Sequence, residues 1–89
     1  MQPVFSHDEQ AHQFVVTLDG RQGSILYLAL NDDTVDFQST YIPVDMRQRG
    51  LGSQLVRYAL RWAREHHLKV VPSCWFVRAV LEQDAKASE

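Results

Sequence analysis

The run Arg47-Gln48-Arg49-Gly50-Leu51-Gly52-Ser53-Gln54-Leu55-Val56-Arg57-Tyr58-Ala59-Leu60-Arg61-Trp62-Ala63-Arg64 decides how the rest of this chain is read. From Leu51 onward it describes a helix. Leu51, Leu55, Ala59, Trp62 and Ala63 recur at three- and four-residue spacing, and Val56 and Leu60 widen the apolar stripe. Ser53, Arg57, Arg61 and Arg64 fall on the opposite face. The spacing predicts an amphipathic helix of about four turns, ending near His66-His67. The opening turn of any helix presents backbone N–H groups without intrahelical acceptors, and the helix dipole adds partial positive charge there. Gly50 and Gly52 remove side chains that would hold a bulky anion away, while Arg47 and Arg49 add planar cations suited to phosphate. The segment reads as an anion cradle at a helix N-terminus.

Working outward, the segments before the cradle have the period of strands. His12-Gln13-Phe14-Val15-Val16-Thr17-Leu18 is apolar and β-branched, and it stops at the turn signal Asp19-Gly20. Ser24 to Leu30 resumes as a strand and ends in the turn formers Asn31-Asp32-Asp33. Thr34 to Ile42 follows, with Val35, Phe37 and Tyr41 set among polar neighbours as in a half-buried strand. Short turns between the three predict an antiparallel meander. Beyond the helix, Lys69-Val70-Val71-Pro72 reads as a short strand, which must return parallel if it joins the same sheet. Trp75 to Gln83 suits a last short helix, and Asp84 to Glu89 a polar, fraying tail. The expected order is β-β-β-α-β-α, an α/β (α+β) fold with helices packed on the sheet. Residues 1–89 are expected to form a single domain, with no repeat or linker.

Composition narrows the function classes. The chain has 89 residues, 45% hydrophobic and 22% charged, an ordinary globular balance. Its apolar runs fall short of the ~20 residues of a membrane span, and Met1 to Asp8 lacks the basic start and apolar stretch of a signal peptide. Cys74 is the only cysteine, so an intrachain disulfide and a cysteine-built zinc site are excluded, and His7 and His12 make no metal pattern. We therefore expect a cytoplasmic protein with no metal and no membrane partner. Seven acidic residues against Arg21 give residues 1–46 a balance of −6; eight basic against four acidic residues give residues 47–89 a balance of +4. Arg47, Arg49, Arg57, Arg61 and Arg64 resemble a nucleic-acid stripe, but the net charge of −2 argues against that partner.

The anion is narrowed by what the loop lacks. A P-loop ends Gly-Lys-Ser/Thr, and Ser53 follows Gly52 with no lysine. The dinucleotide fingerprint needs three glycines. What does match is Arg47-x-x-Gly50-x-Gly52 opening a helix after a strand, which resembles the signature of the GNAT superfamily of acyl-CoA-dependent N-acetyltransferases. The resemblance extends over roughly residues 12–81. Tyr41-Ile42-Pro43-Val44, the Leu55-Val56, Ala59-Leu60 and Ala63-Arg64 pairs, and Lys69-Val70-Val71-Pro72-Ser73-Cys74 are similar to a minimal subfamily with a Pro-x-Cys motif. It implies that acetyl-CoA is the donor substrate and that Gln48 to Ser53, with Arg47, hold the CoA pyrophosphate. Two positions depart from the subfamily: Ser39 where histidine is common before Thr40, and Val80 then Glu82-Gln83-Asp84 where tyrosine and His-Pro are common.

Acetylation requires an amine that has lost its proton and a donor for the thioester carbonyl as charge develops on it. The resemblance implies a backbone donor on the strand before the cradle. Pro43 has no N–H, so Ile42 and Val44 are the candidates. Cys74 lies between the last strand and the last helix, where a thiol can be nucleophilic, accept the acetyl group or move a proton. It is equally a small buried hydrophobe. Trp62 and Trp75 are expected to pack the core rather than hold the adenine, His66 and His67 to be capping or surface residues, and Asp36 and Asp45 to attract a cationic amine. The expected cofactor-binding set is Ile42, Val44, Arg47, Gln48, Arg49, Gly50, Leu51, Gly52, Ser53 and Cys74, with Cys74 catalytic. Its partners would be an acyl-CoA and a small or peptidic amine, and its state a monomer or weak homodimer. The alternative is a CoA or acyl-CoA binding module without catalysis.

Overall fold

A computed structural model describes residues 2–87. Five strands lie side by side in chain order: β1 (Val4–Asp8), β2 (Gln13–Leu18), β3 (Arg21–Asn31), β4 (Thr34–Tyr41) and β5 (Lys69–Val71). The first four form an antiparallel meander, and β5 runs parallel to β4. Three helices complete the order, α1 (Val44–Arg47) and α2 (Leu51–Glu65) between β4 and β5, and α3 (Trp75–Ala87) after β5. The expected α+β arrangement is present.

Local chemistry explains the meander. Asp19 and Gly20 both have positive φ, 52° and 80°, the conformation a two-residue hairpin needs to follow strand twist. In the next turn the Asp33 N–H donates to Asn31 Oδ1 at 2.9 Å, a side chain standing in for a backbone turn. On one sheet face Phe14, Val16, Leu18, Ile25, Tyr27, Val35 and Phe37 meet Leu55, Val56, Ala59, Leu60 and Ala63 of α2 and Val77 and Val80 of α3. On the other face Leu26, Leu28 and Leu30 remain 43–48% exposed.

Three features differ from the expectation. Val4–Asp8 pairs with β2 as an added edge strand, turning Phe5 onto Tyr58 and His7 onto Phe14 and Trp62. A single helical turn, α1, lies between β4 and the cradle, which Pro43 starts by accepting from the N–H groups of Met46 and Arg47. The last helix continues past Gln83 to Ala87 rather than fraying at Asp84, because Asp84 accepts from Arg57 of α2 at 2.9 Å and ties the helices together. Ser88 and Glu89, also assigned to that tail, lie outside the described residues.

Candidate functional site

The cradle forms where the sheet, α2 and α3 meet. β4 and β5 pair only through Thr34–Lys69, Val35–Val70 and Asp36–Val71, after which Pro72 takes the chain away. The Cys74 N–H then donates to Phe37 O at 2.8 Å. Beyond this point Gln38 to Tyr41 have, among the described residues, no strand on the side away from β3. A register shift beside Gln38 places an extra residue in β4 here, and bulges of this kind re-aim the residues that follow.

Next to the open edge, α1 ends and the chain turns through Gln48 and Arg49 to Gly50. Gly50 is the N-cap of α2, with φ 71° and ψ 16° and no side-chain cap. Its carbonyl accepts from Gln54, so the N–H groups of Leu51, Gly52 and Ser53 are the bare donors of the first turn. Arg47 bends back and donates from Nε to the Ile42 carbonyl at 2.8 Å, leaving its terminal nitrogens without a protein acceptor among the described residues. Thr40, Ile42, Arg47, Gly50, Gly52, Ser53, Trp75 and Phe76 line one cavity of about 400 Å³. The residues present fit an anion with an extended arm: bare amides and a guanidinium at one end, and a free strand edge leading inward from it.

The two glycines have different reasons. A side chain at Gly50 would meet no atom within 4 Å, so that glycine answers its positive φ. A Cβ at Gly52 would lie 3.0 Å from the Phe76 ring and 3.3 Å from Ile42. Gly52 therefore makes room for α3, which the spacing alone did not disclose.

Of the expected site residues, Ile42, Arg47, Gly50, Gly52 and Ser53 line the cavity together. Leu51 is buried in the core, while Gln48, Arg49 and Val44 have exposed side chains. Arg49 borders a separate hollow with Asp19, Arg21 and Asp45. Asp45 is engaged by Arg21 at 3.0 Å, so it is not a free attractor for an amine. Cys74 sits one layer behind the cavity, 9% exposed, its Sγ 3.2 Å from Thr40 Oγ1, and either atom can donate in that contact. Arg57 is paired with Asp84, which divides the arginine stripe of α2. That pairing, a direct hydrogen bond, holds the Asp84 carboxyl below its ordinary range and the Arg57 guanidinium above its own.

Thr40, Trp75 and Phe76 were missing from the expected set. Trp75 was assigned to the core and is 75% exposed at the cavity rim. As the first residue of α3 it faces outward because its neighbour Phe76 is the one packed on Gly52. Trp62 does pack inward, against Phe14 and His7. His66 caps α2, its Nδ1–H donating to Trp62 O at 2.9 Å. Among the described residues no cluster of three or more His, Cys, Asp or Glu could hold a metal, and no helix is long and apolar enough to cross a membrane.

Protein NATD1 of Mus musculus is 32% identical over 80 residues, covering 88% of this chain and 73% of that protein. Protein NATD1 of Xenopus tropicalis is 31% identical with the same coverage, and that of Homo sapiens 31% identical with 88% and 71%. The profile of the GCN5-related N-acetyl-transferases matches residues 13–89, a span that takes in the sheet from β2 onward, the open edge and the cradle. The chain belongs to the GCN5-related N-acetyltransferase family.

Proposed function

We propose that this chain transfers an acetyl group from acetyl-CoA to the nitrogen of a small or peptidic amine. The observation that supports it most is a single cavity joining the bare amides of α2 and the Arg47 guanidinium to the unpaired edge of β4. The pyrophosphate would rest against the amides of Leu51, Gly52 and Ser53, with the Arg47 terminal nitrogens and Ser53 hydroxyl beside it; the expected Arg49 and Gly50 amides already donate to Met46 O and Arg47 O. Ile42 and Val44 flank that end. The arm leading from pyrophosphate to thioester carries two amide groups, and an open strand edge binds an extended amide chain much as a further strand would. Gln38 to Tyr41 supply the edge, which brings the thioester deeper than Ile42, toward Thr40 and Cys74.

Acetyl-CoA supplies the activated acyl group, and the residues of this chain supply position and proton traffic. Thr40 lines the cavity, and its hydroxyl contacts the Cys74 thiol. A proton can therefore pass between cavity and Sγ through one hydroxyl, the arrangement of an acid or base acting at one remove. Burial of Cys74 makes this role a better fit than direct acceptance of the acetyl group.

One observation favours a second reading, an acyl-CoA binding module without catalysis. Among the described residues the cavity lining holds no carboxylate and no imidazole to take the amine proton. Calorimetric titration with acetyl-CoA of the native protein and of a Ser53→Glu variant, followed by an amine panel with thiol release as readout, decides between them. Micromolar binding lost in the variant, with turnover of some amine that drops in Thr40→Val and Cys74→Ala, supports the transferase. Binding without turnover leaves the module. Absence of binding removes both.

A further inference from the structure

We infer that Trp75 is a stacking platform for the adenine of the donor, so that the protein selects a nucleotide thioester over the same phosphopantetheine arm carried on a protein. This rests on the CoA reading above and adds which part of the donor is recognised, and by which side chain.

Trp75 is the most exposed large hydrophobic residue of the described chain, at 75%. Among the described residues it makes no ring contact with another aromatic residue, whereas Trp62 meets Phe14, Tyr27, His7 and His66. An isolated exposed side chain needs no explanation, but this one also lines the cavity that contains the cradle. Its position is fixed by its neighbours. Cys74 N–H is held by Phe37 O, the Arg78 N–H by Cys74 O, and Arg78 Nη2 donates to Pro72 O. Phe76 packs on Gly52, bringing the start of α3 against the start of α2. The indole therefore stands beside the bare amides, on a backbone that does not have to reorganise.

A ligand whose phosphates occupy those amides has two ends. One is a narrow amide-bearing arm, which the open edge of β4 suits. The other is a planar base, the group that gains most from covering an indole face. A phosphopantetheine arm attached to a carrier protein has no base to offer and leaves Trp75 in water.

The test titrates native protein, Trp75→Ala and Trp75→Phe with CoA and with 4′-phosphopantetheine. CoA also differs by its extra phosphates, so the readout is how the substitution changes the ratio of the two affinities. We expect Trp75→Ala to weaken CoA by roughly tenfold or more while leaving phosphopantetheine within about twofold, and Trp75→Phe to keep most of the ratio. CoA should also quench emission in the native protein but not in Trp75→Phe, where Trp62 is the only remaining tryptophan. An unchanged ratio, or equal weakening of both ligands, overturns the inference while leaving the CoA site standing. Failure of the native protein to bind either ligand removes the site and the inference together.

Discussion

At its C-terminal end α2 is finished by its own chain, whereas its N-terminal end is left bare. The last turn closes with His67 in the left-handed region at φ 56°, the His67 N–H donating to Arg64 O at 3.1 Å and the Leu68 N–H to Ala63 O at 2.8 Å. These two bonds satisfy carbonyls that would otherwise face water or apolar side chains. His7, Phe14, Tyr27 and Trp62 then pack around that end. At the other end Gly50 brings no capping oxygen, and a cavity replaces the packing. Glycine in place of a capping serine, threonine or aspartate costs about a few tenths of a kcal/mol, so this end forgoes a little stability. The contrast separates the part of α2 that holds the fold from the part available to a ligand.

The strongest way to test that separation is Ser53→Glu. A carboxylate in the first turn suits the helix dipole, so stability should hold or rise by a few tenths of a kcal/mol. The same carboxylate about 5 Å from a bound phosphate costs ~3 kcal/mol at an effective dielectric near 20, two orders of magnitude in affinity. Titration and thermal melting should therefore move in opposite directions. Parallel losses would mean that the N-terminal end is structural after all.

Trp62→Ala is the converse substitution. It empties part of the aromatic cluster and should cost about 2–4 kcal/mol in urea unfolding. Affinity for CoA, measured where the variant is still folded, should stay within about twofold, since Trp62 is not part of the cavity lining. A large loss of affinity would show that the two ends are coupled.

How far this contrast was legible in the sequence depends on whether a residue's role is set by its own segment or by a distant one. The stripe of α2, the Asp19-Gly20 turn, the meander and the parallel return of β5 are all local patterns, and each has its place in the fold. The bare amides also follow from helix geometry alone. β1 was missed because it is short and only Phe5 and His7 turn inward, while Val4, Ser6 and Asp8 are exposed. Trp75 and Phe76 are both aromatic and adjacent, and a contact across 24 residues, with Gly52, decides which one packs. The same contact gives Gly52 its second reason.

Those glycines allow a finer comparison within the bare end itself. Gly52→Ala brings a Cβ within 3.0 Å of Phe76, an overpacking cost of about 1–3 kcal/mol set against the better helix propensity of alanine. Adding Phe76→Leu should recover much of the loss if the ring is its cause. Gly50→Ala has open space and only the left-handed backbone to bear, so it should cost about 1–2 kcal/mol and be insensitive to Phe76→Leu. Chemical denaturation of the two pairs separates space from conformation. Equal rescue of both would remove the distinction.

The smallest expected effect is a pH dependence confined to the packed end. His7 donates to or accepts from the Tyr27 hydroxyl at 2.6 Å and stacks on Phe14. Burial pushes its pKa below 6.5, partly offset by Glu9 and Asp8, and burial likewise raises the Tyr27 phenol. Because the unfolded chain takes up this proton more readily than the folded one, stability is fully present above pH ~6.5 and is lost as pH falls toward the folded value. The Asp84 contribution runs in a separate window, present above its ordinary 3.8 and lost below it. Urea unfolding at pH 5.5 and 7.5 should show a weaker protein at the lower pH, and His7→Gln should shrink that difference. An undiminished difference in His7→Gln would place the titration outside the aromatic cluster and leave the packed end without a pH-sensitive member.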